Sequence, residues 1–185
     1  MTAVEPVDPI IRLQSGRDFN FMEPRAEDIY ILDIAHALSQ VCRFAAQTSE
    51  FYSVAQHSVI VSVIVSGGAG MSKWGLLHDA SEAYIHDISR PLKRWLPDYH
   101  AIEERIMRAV ADRFDLAWPM PKEIKLADNM ALALEAQRFM RGRIGEWGIS
   151  SRWPTPTAKS LVHAAFEPET ARRQFLDTFR GLGGK

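Results

Sequence analysis

The chain has 185 residues, 46% of them apolar and 24% charged, with a formal net charge of -1. That supplies apolar material for the core of one domain. It gives no global pull toward a nucleic-acid polymer or an anionic membrane, so a phosphate-bearing ligand would need a local basic cluster. The single cysteine, Cys42, excludes an internal disulfide and fits a reducing cytoplasm, where the expected role of a lone thiol is that of a small buried apolar group.

Met1 to Pro9 carries Glu5 and Asp8 and no basic apolar run, so a signal peptide is not expected there. Residues 10–22 alternate loosely around Ser15-Gly16, with Ile11 and Leu13 on one side and Phe19 and Phe21 on the other, which predicts a small hairpin. Asp33 is placed to cap a helix through Ile34, Ala37, Leu38 and Val41. Ser53-Val54-Ala55-Gln56 matches a capping box, in which the serine hydroxyl takes an amide proton and the glutamine reaches back. The helix after it runs apolar to Val65 and stops at Gly67-Gly68. It is too short to span a bilayer, and His57, Ser58 and Ser62 interrupt it, so it reads as a buried helix.

Ser72 is a candidate cap for a helix from Lys73 to about Tyr84. Pro91 and Pro97 bound a loop and a short turn, and Asp98 is placed to cap a helix with Ile102, Ile106, Ala109 and Val110 on one face. A further helix is expected from about Lys122 to Met140. Residues 142–157, with three Gly and two Pro, read as a loop, and Pro168 opens a last helix that turns Phe175, Leu176 and Phe179 inward. The fold class that follows is all-α. One domain spans 1–185, with a core of about 28–140, a C-terminal helix of about 168–181 and a small N-terminal hairpin.

Chemistry concentrates in Leu76-Leu77-His78-Asp79-Ala80-Ser81-Glu82-Ala83-Tyr84. Buried charge is costly unless it is paired or bound to metal. On a helix, Glu82 lies four residues from His78 and three from Asp79, so the three share a broad face. His57 and Asp128 each stand inside apolar helical sequence, where a polar group needs a reason. Two imidazoles and two carboxylates from three helices would suit a divalent ion of intermediate softness. Taken singly, each is more often a satisfied core residue, and spacing alone leaves both readings open. Of the other histidines, His36 reads as structural, and His100 and His163 as surface residues. The tryptophans form no stripe and read as core or interface.

The order His57, His78-Asp79, Asp128 resembles the H…HD…D signature of the HD-domain metal-dependent phosphohydrolases. The similarity extends to Asp33-Ile34-Ala35-His36-Ala37-Leu38-Ser39, to Cys42-Arg43-Phe44 and to Phe51-Tyr52-Ser53-Val54-Ala55-Gln56-His57-Ser58. The subgroup it resembles lies near the bacterial 5'-deoxynucleotidases and the phage deoxynucleotide hydrolases. The resemblance implies a helical bundle around one divalent metal (manganese, cobalt, zinc, iron or magnesium) held by His57, His78, Asp79 and Asp128. It implies that Glu82 assists the attacking water, that Asp87 lies near the phosphate, and that Arg43 and Phe44 meet the substrate. Arg90, Lys93 and Arg94 form a basic cluster past Asp87. Lys93 would add charge for substrate, and Arg94 reads as solvated.

The implied substrate is a nucleotide-like phosphate ester, foremost a (deoxy)nucleoside 5'-monophosphate. A deoxynucleoside triphosphate at the same site, or a non-catalytic nucleotide-binding module, are the alternatives. The resemblance also implies a cytoplasmic homodimer. His86 before Asp87, where many relatives have a small residue, and Gln56 before His57, where Glu is common, depart from the pattern and bear on substrate choice.

Overall fold

The computed structural model describes residues 8–65, 67–141, 160 and 162–184. The expected loop at 142–157, with Trp147 and Trp153, lies outside these residues, as does most of Met1 to Pro9.

The described chain is mostly helical with one small sheet, as the all-α reading expected. Strands β1 (Ile10–Arg12) and β2 (Asp18–Asn20) pair antiparallel with Ile11 opposite Phe19. Gly16 turns the hairpin at a φ of 82°, a left-handed conformation that a side chain would disfavour. Phe19 is fully buried and stacks on Tyr84, with ring centroids 3.9 Å apart.

Helix α1 (Ile31–Gln40) buries Ile34, Ala35 and Leu38. Asp33 does not cap it. Tyr30 is the N-cap residue, and the Asp33 carboxylate accepts from the Ser15 hydroxyl at 2.9 Å, tying the hairpin turn to the helix. Helix α2 (Val54–Ile64) starts where the capping box placed it. Ser53 Oγ accepts the Gln56 amide proton at 3.2 Å, but the Gln56 side chain, expected to reach back, bonds Ala164 O and the Phe166 amide instead, and every residue from Val54 to Ser62 is buried. With no polar face to spare, α2 forms the centre of the bundle.

Helix α3 (Ala69–Leu77) lies against α2. It begins at Gly68, whose φ of 88° makes the sharp entry, so Ser72 stands inside the helix and not at its cap. A Cβ on Gly75 would meet the Ser62 Cα at 2.8 Å, so glycine here lets the two backbones approach. The expected single helix to Tyr84 is split. After Leu77 the amides of Ala80, Glu82 and Ala83 bond three residues back, to Leu77, Asp79 and Ala80, a tightened 3-10 turn. Helix α4 (Glu82–Ile85) follows and ends at His86, which adopts a φ of 65°.

Helix α5 (Arg90–Lys93) is a single turn with Pro91 at its start. Helix α6 (Pro97–Phe114) starts on Pro97, whose fixed φ suits a first helical position. Asp98 therefore lies in the first turn and does not cap. Helix α7 (Lys122–Phe139) runs where expected. Helix α8 (Pro168–Gly181) turns Ala171, Phe175, Leu176 and Phe179 inward and packs on α1 and α2. Trp74 is core, with Nε1 donating to Ala117 O at 3.0 Å, whereas Trp95 is 82% exposed. Cys42 is half-buried. No helix among the described residues is long and apolar enough to cross a membrane.

Candidate metal centre

Among the described residues, three donor atoms, from His57, His78 and Asp79, lie close together, and Asp128 approaches the group through His57. His57 stands one turn into α2, fully buried. His78 and Asp79 follow the end of α3, carried to α2 by the close approach at Gly75. Asp128 comes from α7. His57 Nε2 lies 3.2 Å from His78 Nε2, 3.5 Å from Asp79 Oδ2 and 3.4 Å from Asp128 Oδ1, and His78 Nε2 lies 3.1 Å from Asp79 Oδ2. Ligands about 2.1 Å from a shared ion stand about 3.0 Å apart at right angles and about 3.4 Å apart at tetrahedral angles. His57, His78 and Asp79 fit a divalent cation in spacing and chemistry and form a group that could hold one; Asp128, expected as a fourth ligand, lies outside that group and reaches it only at His57.

Each imidazole is oriented through its other nitrogen. His78 Nδ1 lies 2.8 Å from Gly75 O, and His57 Nδ1 lies 2.7 Å from Glu135 Oε1. Both contacts are to acceptors, so each Nδ1 is placed to donate, and in the neutral imidazole each Nε2 lone pair would face the common point. Asp128 is held likewise. Its Oδ2 accepts from Lys125 at 2.7 Å and from Arg90 at 3.1 Å, which leaves Oδ1 toward His57.

Arg43 reaches the site from an extended stretch. Its amide donates to Tyr52 O at 2.8 Å beside the bridge between Cys42 and Ser53, which fixes the residue just ahead of α2. Its guanidinium is buried, with Nη1 3.6 Å from Asp79 Oδ2 and Nε 3.2 Å from Glu135 Oε2. The chain then makes a left-handed turn through Phe44, Ala45 and Ala46, at φ of 55°, 50° and 60°, unusual for residues with a Cβ. Phe44 is half-buried, its ring 5.4 Å from the Arg43 guanidinium carbon.

Glu82 is buried beside this cluster. Its Oε1 accepts from Lys93 at 3.3 Å, and its Oε2 has no hydrogen-bond partner among the described residues. Lys93 also donates to Glu103 at 2.8 Å, so this lysine, expected to face substrate, is engaged by two acids. Asp87 is half-buried and within electrostatic reach of Arg43, Asp79 and Lys93. Arg90, from the same basic cluster, binds Asp128 and Asn129, and Arg94 is exposed as expected. His36 is half-buried on α1, and His100 and His163 are exposed.

The acids divide into two electrostatic classes. Burial opposes the charge of Asp79, but the His78 and His57 imidazoles outweigh it and hold the carboxyl below the usual range. Burial also opposes Asp128, yet hydrogen bonding to His57 and the nearby His78 and Lys125 hold it well below. Glu82 goes the other way: burial, then the charges of Asp79 and Asp87, push it well above. Burial raises Asp87 too, against the pull of Arg43. For His57, burial and Arg43 oppose protonation, but Glu135 and Asp128 bring the imidazole up to about 9.

Glu135 escaped the sequence reading. A signal for it was available: it follows Asp128 by seven residues, two helical turns, and so shares its face of α7 between Leu134 and Ala136.

No family model matches the chain. It is 37% identical over 172 residues to the uncharacterized protein YfdR of Escherichia coli, a match that spans 93% of this chain and 94% of that protein. It is 36% identical over 141 residues to an uncharacterized protein of Rhodobacter capsulatus, RCAP_rcc00048, spanning 69% of this chain and 71% of the relative.

Proposed function

This chain belongs to the same family as YfdR of Escherichia coli, and we propose that it is a metal-dependent phosphohydrolase of the HD-domain type, acting on a nucleotide phosphate ester. The observation that carries this reading is the convergence of His57, His78 and Asp79 at donor separations of 3.1–3.5 Å, with Asp128 Oδ1 3.4 Å from His57. A divalent ion held by these four would supply Lewis acidity to a phosphoryl oxygen and acidify a water for attack.

The chain's own residues complete the reaction. Glu82 has a buried, unpartnered oxygen with which to orient that water and take its proton. Arg43 offers a planar donor fork to phosphate oxygens, and Asp87 stands near the leaving side. With a nucleoside 5'-monophosphate, the water oxygen bonds to phosphorus, the bond from phosphorus to O5' breaks, and the leaving oxygen takes a proton. The products are a nucleoside and orthophosphate.

The test is to strip the purified protein of metal and reload it separately with manganese, cobalt, zinc, iron and magnesium. Each form is then assayed against nucleoside mono-, di- and triphosphates. Orthophosphate from monophosphates supports the nucleotidase reading, and release of intact triphosphate supports the triphosphohydrolase with the same site. Nucleotide binding without turnover by every metal form would overturn the enzyme and leave a binding module. A homodimer is part of the same proposal, and light scattering checks it.

A further inference from the structure

Glu135 does three things at once. It is fully buried on α7. Its Oε1 lies 2.7 Å from His57 Nδ1 and accepts the Tyr52 hydroxyl at 2.9 Å, while its Oε2 lies 3.2 Å from Arg43 Nε. Two turns earlier on the same helix, Asp128 Oδ1 lies 3.4 Å from the opposite nitrogen of the same imidazole. Helix α7 therefore brackets the His57 ring at both nitrogens, and the second carboxylate also holds the buried guanidinium of the site. Burying a carboxylate is costly; here Oε1 is hydrogen-bonded, whereas Oε2 is offset only by the charge of the neighbouring guanidinium, since neither Oε2 nor Arg43 Nε has a hydrogen-bond partner among the described residues.

We propose that Glu135 is a positioning residue that makes metal binding and anion binding at this site interdependent, an inference that rests on the metal-site reading above. Through Oε1 it fixes the His57 tautomer whose Nε2 can ligate. Through Oε2 it anchors Arg43, whose Nη1 lies 3.6 Å from Asp79, a further proposed ligand. An anion that draws on Arg43 acts on Glu135, and so on the orientation of His57. The reverse holds when a metal draws on His57, because a coupling between two sites is reciprocal.

The chemistry of a carboxamide makes this testable. A carboxylate presents acceptors at both oxygens, whereas glutamine presents one acceptor and one donor. In Glu135→Gln, an oxygen toward His57 leaves an NH2 group against Arg43. The flipped amide instead faces His57 Nδ1 with a donor, which favours the tautomer whose Nε2 carries the proton. Either orientation loses one function.

The experiment titrates cobalt(II) into the full-length metal-free protein by visible absorbance, with and without inorganic phosphate, and records the imidazole proton resonances. The wild type should bind cobalt, bind phosphate more tightly with cobalt present, and show a downfield Nδ1 proton. Glu135→Gln should bind cobalt about tenfold to hundredfold more weakly, as expected when the partner of a ligating histidine is removed. It should also lose the downfield resonance and most of the effect of phosphate on cobalt affinity. Glu135→Asp keeps the charge one methylene short, so it should recover the resonance and part of the affinity. It also serves as the test if the glutamine variant does not fold.

Cobalt affinity, spectrum and phosphate effect within twofold of wild type in a folded variant would overturn the role of Glu135. A wild type that binds no cobalt would defeat the metal reading itself.

Discussion

At the residue scale, Glu82 and Ala45 show how environment and backbone separate residues of ordinary type. Glu82 is an acid that its surroundings keep from ionising easily, with one oxygen left unpaired. A general base must be ionised to accept a proton, so turnover should climb with pH through a titration above the usual carboxylate range. Glu82→Gln should retain metal, lower the rate by ~10²-fold or more and flatten that acid limb. Metal analysis with pH–rate profiles checks this, and an unchanged profile would remove Glu82 from the mechanism. Ala45 is exposed at a φ of 50° and ψ of 38°, a left-handed conformation that costs a residue with a Cβ roughly 1 kcal/mol. Ala45→Gly should therefore stabilise the fold by up to about 1 kcal/mol in a denaturant titration, against the added entropy of the unfolded chain. A loss of stability would show that the turn is held by more than its dihedral preference.

At the element scale, the legible features were those set by local chemistry. The hairpin at Ser15-Gly16, the start of α2 at Ser53 and the start of α8 at Pro168 all lie where turn and cap residues placed them. The proposed ligand positions were legible as polar residues inside apolar helices, although the convergence of His57, His78 and Asp79 is a tertiary fact. Three expected caps are displaced, at α1 with the Asp33 carboxylate engaged by Ser15 and at α3 and α6 by the backbone of Gly68 and Pro97. Tyr30 precedes Asp33 at the start of α1, the left-handed Gly68 starts α3 before Ser72, and Pro97 takes the first position of α6 ahead of Asp98. The division of the 73–84 helix was not legible, because the choice between four-back and three-back bonding after Leu77 is made by packing, not by residue type.

The same packing depends on Gly75. A Cβ there would lie 2.8 Å from backbone, which cannot move aside as a flexible side chain can. Gly75→Val should destabilise by at least the 1–3 kcal/mol typical of overpacking, with a lowered Tm. It should also weaken cobalt binding, because the contact that spaces α3 from α2 also spaces His78 from His57. Wild-type cobalt affinity in this variant would separate helix packing from site geometry.

At the scale of the whole molecule, the site joins α2, the end of α3 and α7. A ligand bound only by the folded state stabilises the entire chain, by about 2.7 kcal/mol at a hundredfold excess over Kd. For a chain of this size each kcal/mol raises Tm by roughly 2–4 °C, so metal removal by a chelator should lower Tm by roughly 5–10 °C. Calorimetry of the stripped and reloaded protein checks this, and a Tm indifferent to metal would contradict binding across three helices.

Gln56, beside the proposed ligand His57, is almost wholly inaccessible. Its Nε2 donates to Ala164 O at 2.7 Å and its Oε1 accepts from the Phe166 amide at 3.0 Å. The approach to α8 is thereby stitched to the very turn of α2 that carries the imidazole. A protein shortened to end before residue 160 would lose both bonds to that carboxamide together with the helix packed on α2, at about 0.5–1.5 kcal/mol for each bond. The tail is thus less an appendage than a buttress, and shortening it would be felt first at His57.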